Sequence, residues 1–324
     1  MKTLKNYVHY FFLYFFLCFA CNDDSLENDV ELTSKILNKQ AQKSDYDIAM
    51  YYAPVFFQDV DTTDGLCRNQ SKSGSADWIT AVNYDGDWNT KNNWENMVSG
   101  RDNGKLIPHV YYYVTYTKTH YFVLYAVYHP RDWTDVPFLC SLDSHENDME
   151  GVLITADRKD NGDFGAIINA QTIWHSSIYD YNKNEILLDG KQPQLYIEAK
   201  GHGMRAYKGS SDKDGSYIKY YFNGKAAISP DKNSRNLPQN INYNLTALEN
   251  SLWQQRNNPL TFAGASFVGD NGNGTNRANA PWGWKGGDIC KNPAKFLKDK
   301  YGWTNFSTEY ISDTPIQLCR PKIG

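Results

Sequence analysis

The chain has 324 residues, a formal net charge of −4 and 41% hydrophobic residues, enough length for one large domain with a substantial core. Its 33 Lys and Arg are scattered against 37 Asp and Glu, and phosphate backbones are held by concentrated positive charge, so nucleic acid is excluded as a partner. Aromatic residues make up 15% of the chain, 24 of them Tyr, and Asn and Gly crowd the connecting segments, a composition that favours a mainly β chain, a single β-sandwich domain with long loops and a few short helices.

In chain order, Lys2 and Lys5 precede an apolar run at 10–20, and Cys21 is followed at once by Asn22, Asp23 and Asp24. That order is a signal peptide, and the run is shorter than the about 20 residues a helix needs to span a bilayer core. Cys18-Phe19-Ala20-Cys21 resembles a bacterial lipobox, with Ala20 on the cleavage side, Cys21 as acceptor and Cys18 in the usual Leu place. The resemblance implies cleavage before Cys21 and lipidation on it, with residues 1–20 as leader and 21–44 as a lipidated tether. Acyl chains on Cys21 hold a protein to a membrane at about 0.8 kcal/mol per buried methylene. The acidic residues after the cysteine resemble the export signal of surface lipoproteins, which implies the outer face of the outer membrane.

Residues 45–324 are then the β-sandwich domain with a loop-rich C-terminal part. Four cysteines remain, Cys67, Cys140, Cys290 and Cys319, an even number in an exported chain, so two disulfides are expected. Near neighbours close shorter loops, which favours Cys67 with Cys140 and Cys290 with Cys319. No CxxC pair exists to hold zinc.

Strands are predicted over 51–57 and 78–82. The segment 83–95 places Asp85 and Asp87 around Gly86, with Asn89, Asn92 and Asn93 behind; such a run either wraps calcium or makes a turn, and it lacks EF-hand spacing. Tyr-rich runs at 111–116 and 121–128, joined by Lys118-Thr119-His120, read as a hairpin or as neighbouring central strands whose tyrosines pack in the core. Further strands are predicted over 150–156, 164–173, 194–199 and 217–222, and helices over 244–255 and 293–301, the second with Pro293 in its first turn and Lys298 and Lys300 near its end. The glycine-rich stretch 269–287 lacks the Gly-Lys-Ser/Thr ending of a phosphate loop, and Trp282 and Trp284 around Gly283 either stack on sugar rings or close a loop. There is no Gly-x-Ser-x-Gly elbow.

The chemistry concentrates in 128–154. Asp148 and Glu150, two apart, share one face of a strand, and His145 just upstream can fold over the same point. Two carboxylates and an imidazole suit a divalent cation, with calcium or magnesium favoured by the oxygens and manganese or zinc by the histidine; the alternative is a solvated strand end. His202, between Gly201 and Gly203, is a candidate general base, fifth ligand or structural residue, and His175 after Trp174 is a weaker candidate.

Tyr128-His129-Pro130-Arg131-Asp132 followed by His145-Glu146-Asn147-Asp148-Met149-Glu150 resembles the necrosis-inducing protein family and the related vacuolar-sorting-associated family. That resemblance implies a divalent cation on Asp132, His145, Asp148 and Glu150. The family heptapeptide Gly-His-Arg-His-Asp-Trp-Glu is altered here at Ser144, Glu146, Asn147 and Met149. Residues 193–207 resemble the Tyr-Val-Ala-x-Gly-Ser-His-Ala-x-Tyr strand and loop of the second family, with His202 in the histidine place. Together the resemblances cover about 45–207. They imply a surface module that uses one divalent cation (calcium, magnesium or manganese) to bind a glycan or lipid headgroup, with membrane damage as one outcome. The alternatives are a metal-dependent hydrolase of a glycan or phosphoester, and a lipoprotein whose ion only stabilises the fold.

Overall fold

The computed structural model describes residues 43–61, 73–134, 136–139, 144–209, 216–233, 238–271 and 278–312. The segments expected as leader and tether, as far as residue 42 and with Cys21 among them, and Cys67, Cys140 and Cys319 lie outside the described residues. No helix among the described residues is long and apolar enough to cross a membrane.

Helix α1 (Asp45–Tyr51) starts from a capping box, in which Ser44 Oγ accepts from Asp47 N and the Asp47 carboxylate accepts from Ser44 N. Pro54 then forces extended backbone ahead of β1 (Val55–Asp59), so the strand expected at 51–57 begins later than the sequence suggests. Helix α2 (Asn93–Asp102) follows, and then the long meander β2 (His109–Tyr116), β3 (His120–Asp132), β4 (His145–Arg158), β5 (Phe164–Trp174) and β6 (Ser177–Asn182). The remaining strands are β7 (Leu188–Asp189), β8 (Gln192–Ile197), β9 (Met204–Ala206), β10 (Tyr217–Tyr221), β11 (Gln239–Asn242), β12 (Asn244–Ala247), β13 (Phe262–Ala263) and β14 (Ser266–Phe267). Helices α3 (Asp288–Lys291) and α4 (Pro293–Tyr301) come last.

The fold is mainly β. One six-stranded sheet has the order β11-β10-β1-β8-β7, with β9 added to β8, and the other has the order β12-β2-β3-β4-β5-β6. Phe56, Leu195, Ile197 and Tyr220 of the first sheet share one apolar cluster with Val123, Tyr125, Val152 and Ile154 of the second, which makes the pair a sandwich. Several of the core tyrosines find backbone partners for their hydroxyls: Tyr125 donates to Ala49 O at 2.7 Å, Tyr121 to Gly162 O at 2.6 Å and Tyr243 to Pro54 O at 2.7 Å. The Tyr-rich runs are the β2–β3 hairpin, with Tyr112 opposite Tyr125.

Two expected elements differ. Residues 78–82 form a single bridge, Thr80 with Tyr128, set between two turns in which Trp78 N donates to Ser75 O and Tyr84 N to Ala81 O. The helix expected at 244–255 is strand β12 followed by two short 3-10 turns; its first residues pair in parallel with the edge of β2, and that ladder overrides local helix preference. Helix α4 spans the predicted residues, with Asn292 Oδ1 accepting from Lys295 N and Gly302 closing it at φ 66°.

Gly151 of β4, opposite Ala126 of β3, lets Trp284 lie against the sheet: a Cβ there would stand 2.2 Å from Tyr125 O and 2.5 Å from Trp284 Cη2. Gly151→Ala is expected to lower stability by about 1–3 kcal/mol, as overpacking does, measured by urea unfolding; an unchanged midpoint would show that the indole is free to move away.

Candidate metal and ligand site

The site begins with a break in strand alternation. In a regular strand Glu146, Asp148 and Glu150 would share one face and His145 would point away. Asn147 instead has φ 64°, a left-handed conformation that Asn adopts more readily than most residues. Its amide is tied on every side: Oδ1 accepts from Tyr128 Oη at 2.5 Å and Asn93 Nδ2 at 3.1 Å, and Nδ2 donates to the carbonyls of Thr90 and Val268 at 2.9 Å each. Glu146 therefore turns toward α2, where it accepts from Trp94 N at 2.6 Å in the first helical turn, and from Asp270 N at 3.1 Å. Burial pushes the Glu146 carboxyl up to about 7 against these two hydrogen bonds. His145 and Asp148 are left on the opposite side, together with Asp132, whose backbone pairs with His145 across the β3–β4 ladder.

These groups line a cavity of about 580 Å³, with Glu150, His175, Glu198, Lys200 and Trp284 also on its wall. Asp132 Oδ2 lies 3.3 Å from His145 Nε2, and Asp132, His145 and Asp148 bring one ligand atom each within 4.8 Å of one another. Glu150 Oε1 accepts from His175 N at 2.9 Å, while its buried Oε2 has no hydrogen-bond partner among the described residues. Burial, reinforced by the charge of Asp148, holds the Glu150 carboxyl well above its ordinary range, and burial also raises Asp132. Asp148 is driven the other way: burial opposes ionisation, but the hydrogen bond and charge of His202 outweigh it and hold the group below the usual range. Two buried carboxylates, one with an orphaned oxygen, and the half-buried Asp132 beside an imidazole are a donor set that suits a hard divalent cation.

Behind Asp148 lies a residue the sequence reading passed over. Asp77 is fully buried; its Oδ1 accepts from Trp133 Nε1 at 2.8 Å, Lys200 N at 2.9 Å and His202 Nε2 at 3.2 Å, and its Oδ2 from Asp61 N at 2.9 Å. His202 Nδ1 donates to Asp148 Oδ2 at 2.9 Å, so both of its nitrogens are committed to carboxylates. Burial disfavours the imidazolium, but the hydrogen bonds to Asp148 and Asp77 prevail and push His202 up to about 10. The His129 ring stacks on it at 3.8 Å and 5°, which sets the two imidazole planes parallel, a poor arrangement for ligating one ion together. Gly201 and Gly203 are explained by their neighbours: a Cβ at 201 would meet His175 Cε1 at 2.7 Å, and one at 203 would meet Trp174 Cδ2 at 2.7 Å and Glu198 Oε1 at 2.8 Å. The cradled pair is itself bonded, His175 Nε2 to Glu198 Oε1 at 3.1 Å.

The other sequence candidates sit elsewhere. Asp85 and Asp87 form Asx turns, Asp85 accepting from Asp87 N and Asn96 Nδ2, and Asp87 from Asn89 N and Asn92 Nδ2. Trp282 packs edge-on against Trp253 and Phe262, whereas Trp284 reaches the cavity wall and donates from Nε1 to Asn279 O at 2.8 Å. Cys290 is buried in α3. Asp77 and Glu198 carried no sequence signal beyond a lone acidic residue beside apolar neighbours.

No family model and no curated protein matches the chain. Among solved structures it is similar to one described as a non-toxic HaNLP3 protein (23% identity, TM-score 0.26, 32% of this chain and 47% of that one) and to NLPPya in complex with glucosamine (20%, 0.24, 31% and 44%). It is also similar to Necrosis and Ethylene inducing Protein 2 from the causal agent of cocoa's Witches Broom disease (17%, 0.27, 44% and 51%). The matched region spans about half the length of those chains, and at these TM-scores the likeness carries no argument about activity. The vacuolar-sorting-associated resemblance finds no support in these comparisons.

The raised imidazolium gives a pH prediction. A group whose value rises from 6.5 unfolded to about 10 folded contributes stability that is complete below pH 6.5 and lost as pH rises through 10. In chelator, the melting temperature is expected to fall across that window, and the gap between wild type and His202→Gln to close with it; parallel curves would show that His202 is neutral when folded.

Proposed function

We propose that this protein is a lipid-anchored surface module whose cavity holds one divalent cation and uses it to bind a polar ligand, a glycan or a lipid headgroup. The observation that carries the reading is the orphaned Glu150 Oε2, buried in a cavity wall beside Asp132, His145 and Asp148. An unpaired buried carboxylate oxygen is costly, and a cation relieves it while leaving part of its own coordination shell for ligand oxygens. Asp132, His145, Asp148 and Glu150 would hold the ion, calcium, magnesium or manganese. Bound there, it would supply a positive centre for hydroxyl or phosphate oxygens. Trp284 on the same wall would offer an apolar face to a sugar ring. Lipidation of Cys21 would keep the module at the outer membrane.

The hydrolase reading is favoured by one observation, the His175–Glu198 pair on the cavity wall, an imidazole held by a carboxylate within reach of any occupant. Turnover of a glycan or phosphoester, lost in His175→Ala with ion uptake retained, would establish it over simple binding.

Metal analysis of the purified protein is expected to find one divalent ion per chain in wild type and none in Asp148→Asn/Glu150→Gln. Amino sugars and phospholipid headgroups are the first ligand probes, since similar structures are described as NLPPya with glucosamine and with mannosamine. Their binding is expected to vanish in chelator and return with the ion. Equal, ion-free wild type and mutant would sink the reading. Separately, Cys21→Ser expressed in a bacterial host is expected to move the protein from the membrane fraction to the soluble one; unchanged fractionation would remove the lipid anchor.

A further inference from the structure

Both oxygens of the cavity carboxylate Asp148 are taken by protein donors, unlike those of Glu150 among the described residues. Asp148 Oδ1 accepts from Met149 N at 2.9 Å and its Oδ2 from His202 Nδ1 at 2.9 Å. The far nitrogen of that imidazole reaches Asp77 Oδ1 at 3.2 Å, so a buried carboxylate–imidazole–carboxylate chain runs from the candidate ligand to a residue with no exposure. Asp77 does not line the cavity and belongs neither to the Asp132–His145–Asp148 group nor to the His129–Asp148–His202 group, the two sets of potential metal ligands among the described residues. Its own orientation is fixed by donors from three separate segments, the backbone of Asp61, the indole of Trp133 and the backbone of Lys200. His202, committed at both nitrogens and held at φ 53°, has no freedom to rotate without breaking one bond or the other.

We propose that Asp77, acting through His202, is a positioning residue that fixes the Asp148 carboxylate in the orientation a divalent cation requires, and that His202 is neither a ligand nor a base. The inference rests on the reading of the cavity as a cation site. A partner one bond removed from a metal ligand, as His202 is from Asp148, sets its rotamer and basicity, and its loss costs about 10–100-fold in metal affinity; Asp77, one bond further back, acts by holding that imidazole in place. Asp77 also ties three loops together, so its removal lowers stability as well, and affinity has to be read apart from folding.

The test is the Mn²⁺ affinity of the full chain, from the free-ion EPR signal, in wild type, Asp77→Asn, His202→Gln, Asp77→Asn/His202→Gln and Asp77→Asn/Glu150→Gln. Asp77→Asn and His202→Gln are each expected to weaken binding about 10–100-fold. The double variant of the two is expected to be no weaker than the poorer single one, since both cut the same chain, whereas the losses of Asp77→Asn and Glu150→Gln add. A residue that serves folding alone would lower the melting temperature and leave the affinity of the folded protein at the wild-type value, and that result overturns the proposal. Additive losses for Asp77→Asn and His202→Gln overturn it too, because the two would then act by separate routes. If Asp77→Asn does not fold, His202→Gln decides alone, since it leaves Asp77 its three other donors. A wild type that takes up no Mn²⁺ overturns the cation reading and the clamp together; a wild type that binds beside unaffected Asp77→Asn and His202→Gln overturns the clamp and leaves the cation reading standing.

Discussion

One left-handed residue decides which side of strand β4 carries the chemistry. Asn147 interrupts the alternation of a long, otherwise regular ladder, so that His145 joins Asp148 while Glu146 is sent to the N-terminus of α2. Left to itself, such a backbone conformation is unfavourable for a residue with a side chain; here four hydrogen bonds to the Asn147 amide hold it. Those bonds come from β3, from the first residue of α2 and from the backbone on both sides of the loop region that closes over it. The geometry of the candidate ligands is thus a consequence of how a helix and two distant loops pack on the sheet.

The same economy appears on the other side of the cavity. His175, Lys200 and His202 also have left-handed backbones, and all three surround the Asp132–Asp148 cluster. Each is held by a hydrogen bond from its own backbone or ring to an acidic residue: His175 N to Glu150, Lys200 N to Asp77, His202 to Asp77 and Asp148. Strain that gathers at one place and is held there by buried carboxylates marks a site built for geometry at some cost in stability. Gly201 and Gly203 belong to this arrangement, since any side chain would displace the His175–Glu198 pair from the wall.

Charge gives the arrangement its direction. Asp148 and Glu150 are buried and Asp132 half-buried within one wall, and of the three only Asp148 is hydrogen-bonded by the imidazole of His202, whose other nitrogen goes to Asp77. Glu150 is left with a bare oxygen, and it is this mismatch, more than the number of acidic residues, that separates the cavity from the Asx turns at Asp85 and Asp87, where every carboxylate is answered by an amide.

Much was legible in the sequence for local reasons. The Tyr-rich hairpin, the strands at 164–173 and 217–222, and helix α4 with its Asn, Pro and Gly punctuation depend on neighbours within a few residues, and they stand where the pattern puts them. Asp148 and Glu150, two apart on one strand, and His145 just upstream were readable from spacing, whereas Asp132 joined them only through the family resemblance; its pairing with His145 across the ladder belongs to the tertiary structure. The helix expected at 244–255 failed because an edge of β2 offered a ladder that local propensity does not register. Asp77 and Glu198 stayed hidden for a deeper reason. Each is a single acidic residue with no spacing to betray it, and its role exists only where segments near residues 61, 77, 133, 148, 175 and 202 are folded together, so that the low dielectric of the interior makes every unpaired charge answer to a partner far away in the chain. Sequence determined which groups were available; tertiary packing decided which of them face one another.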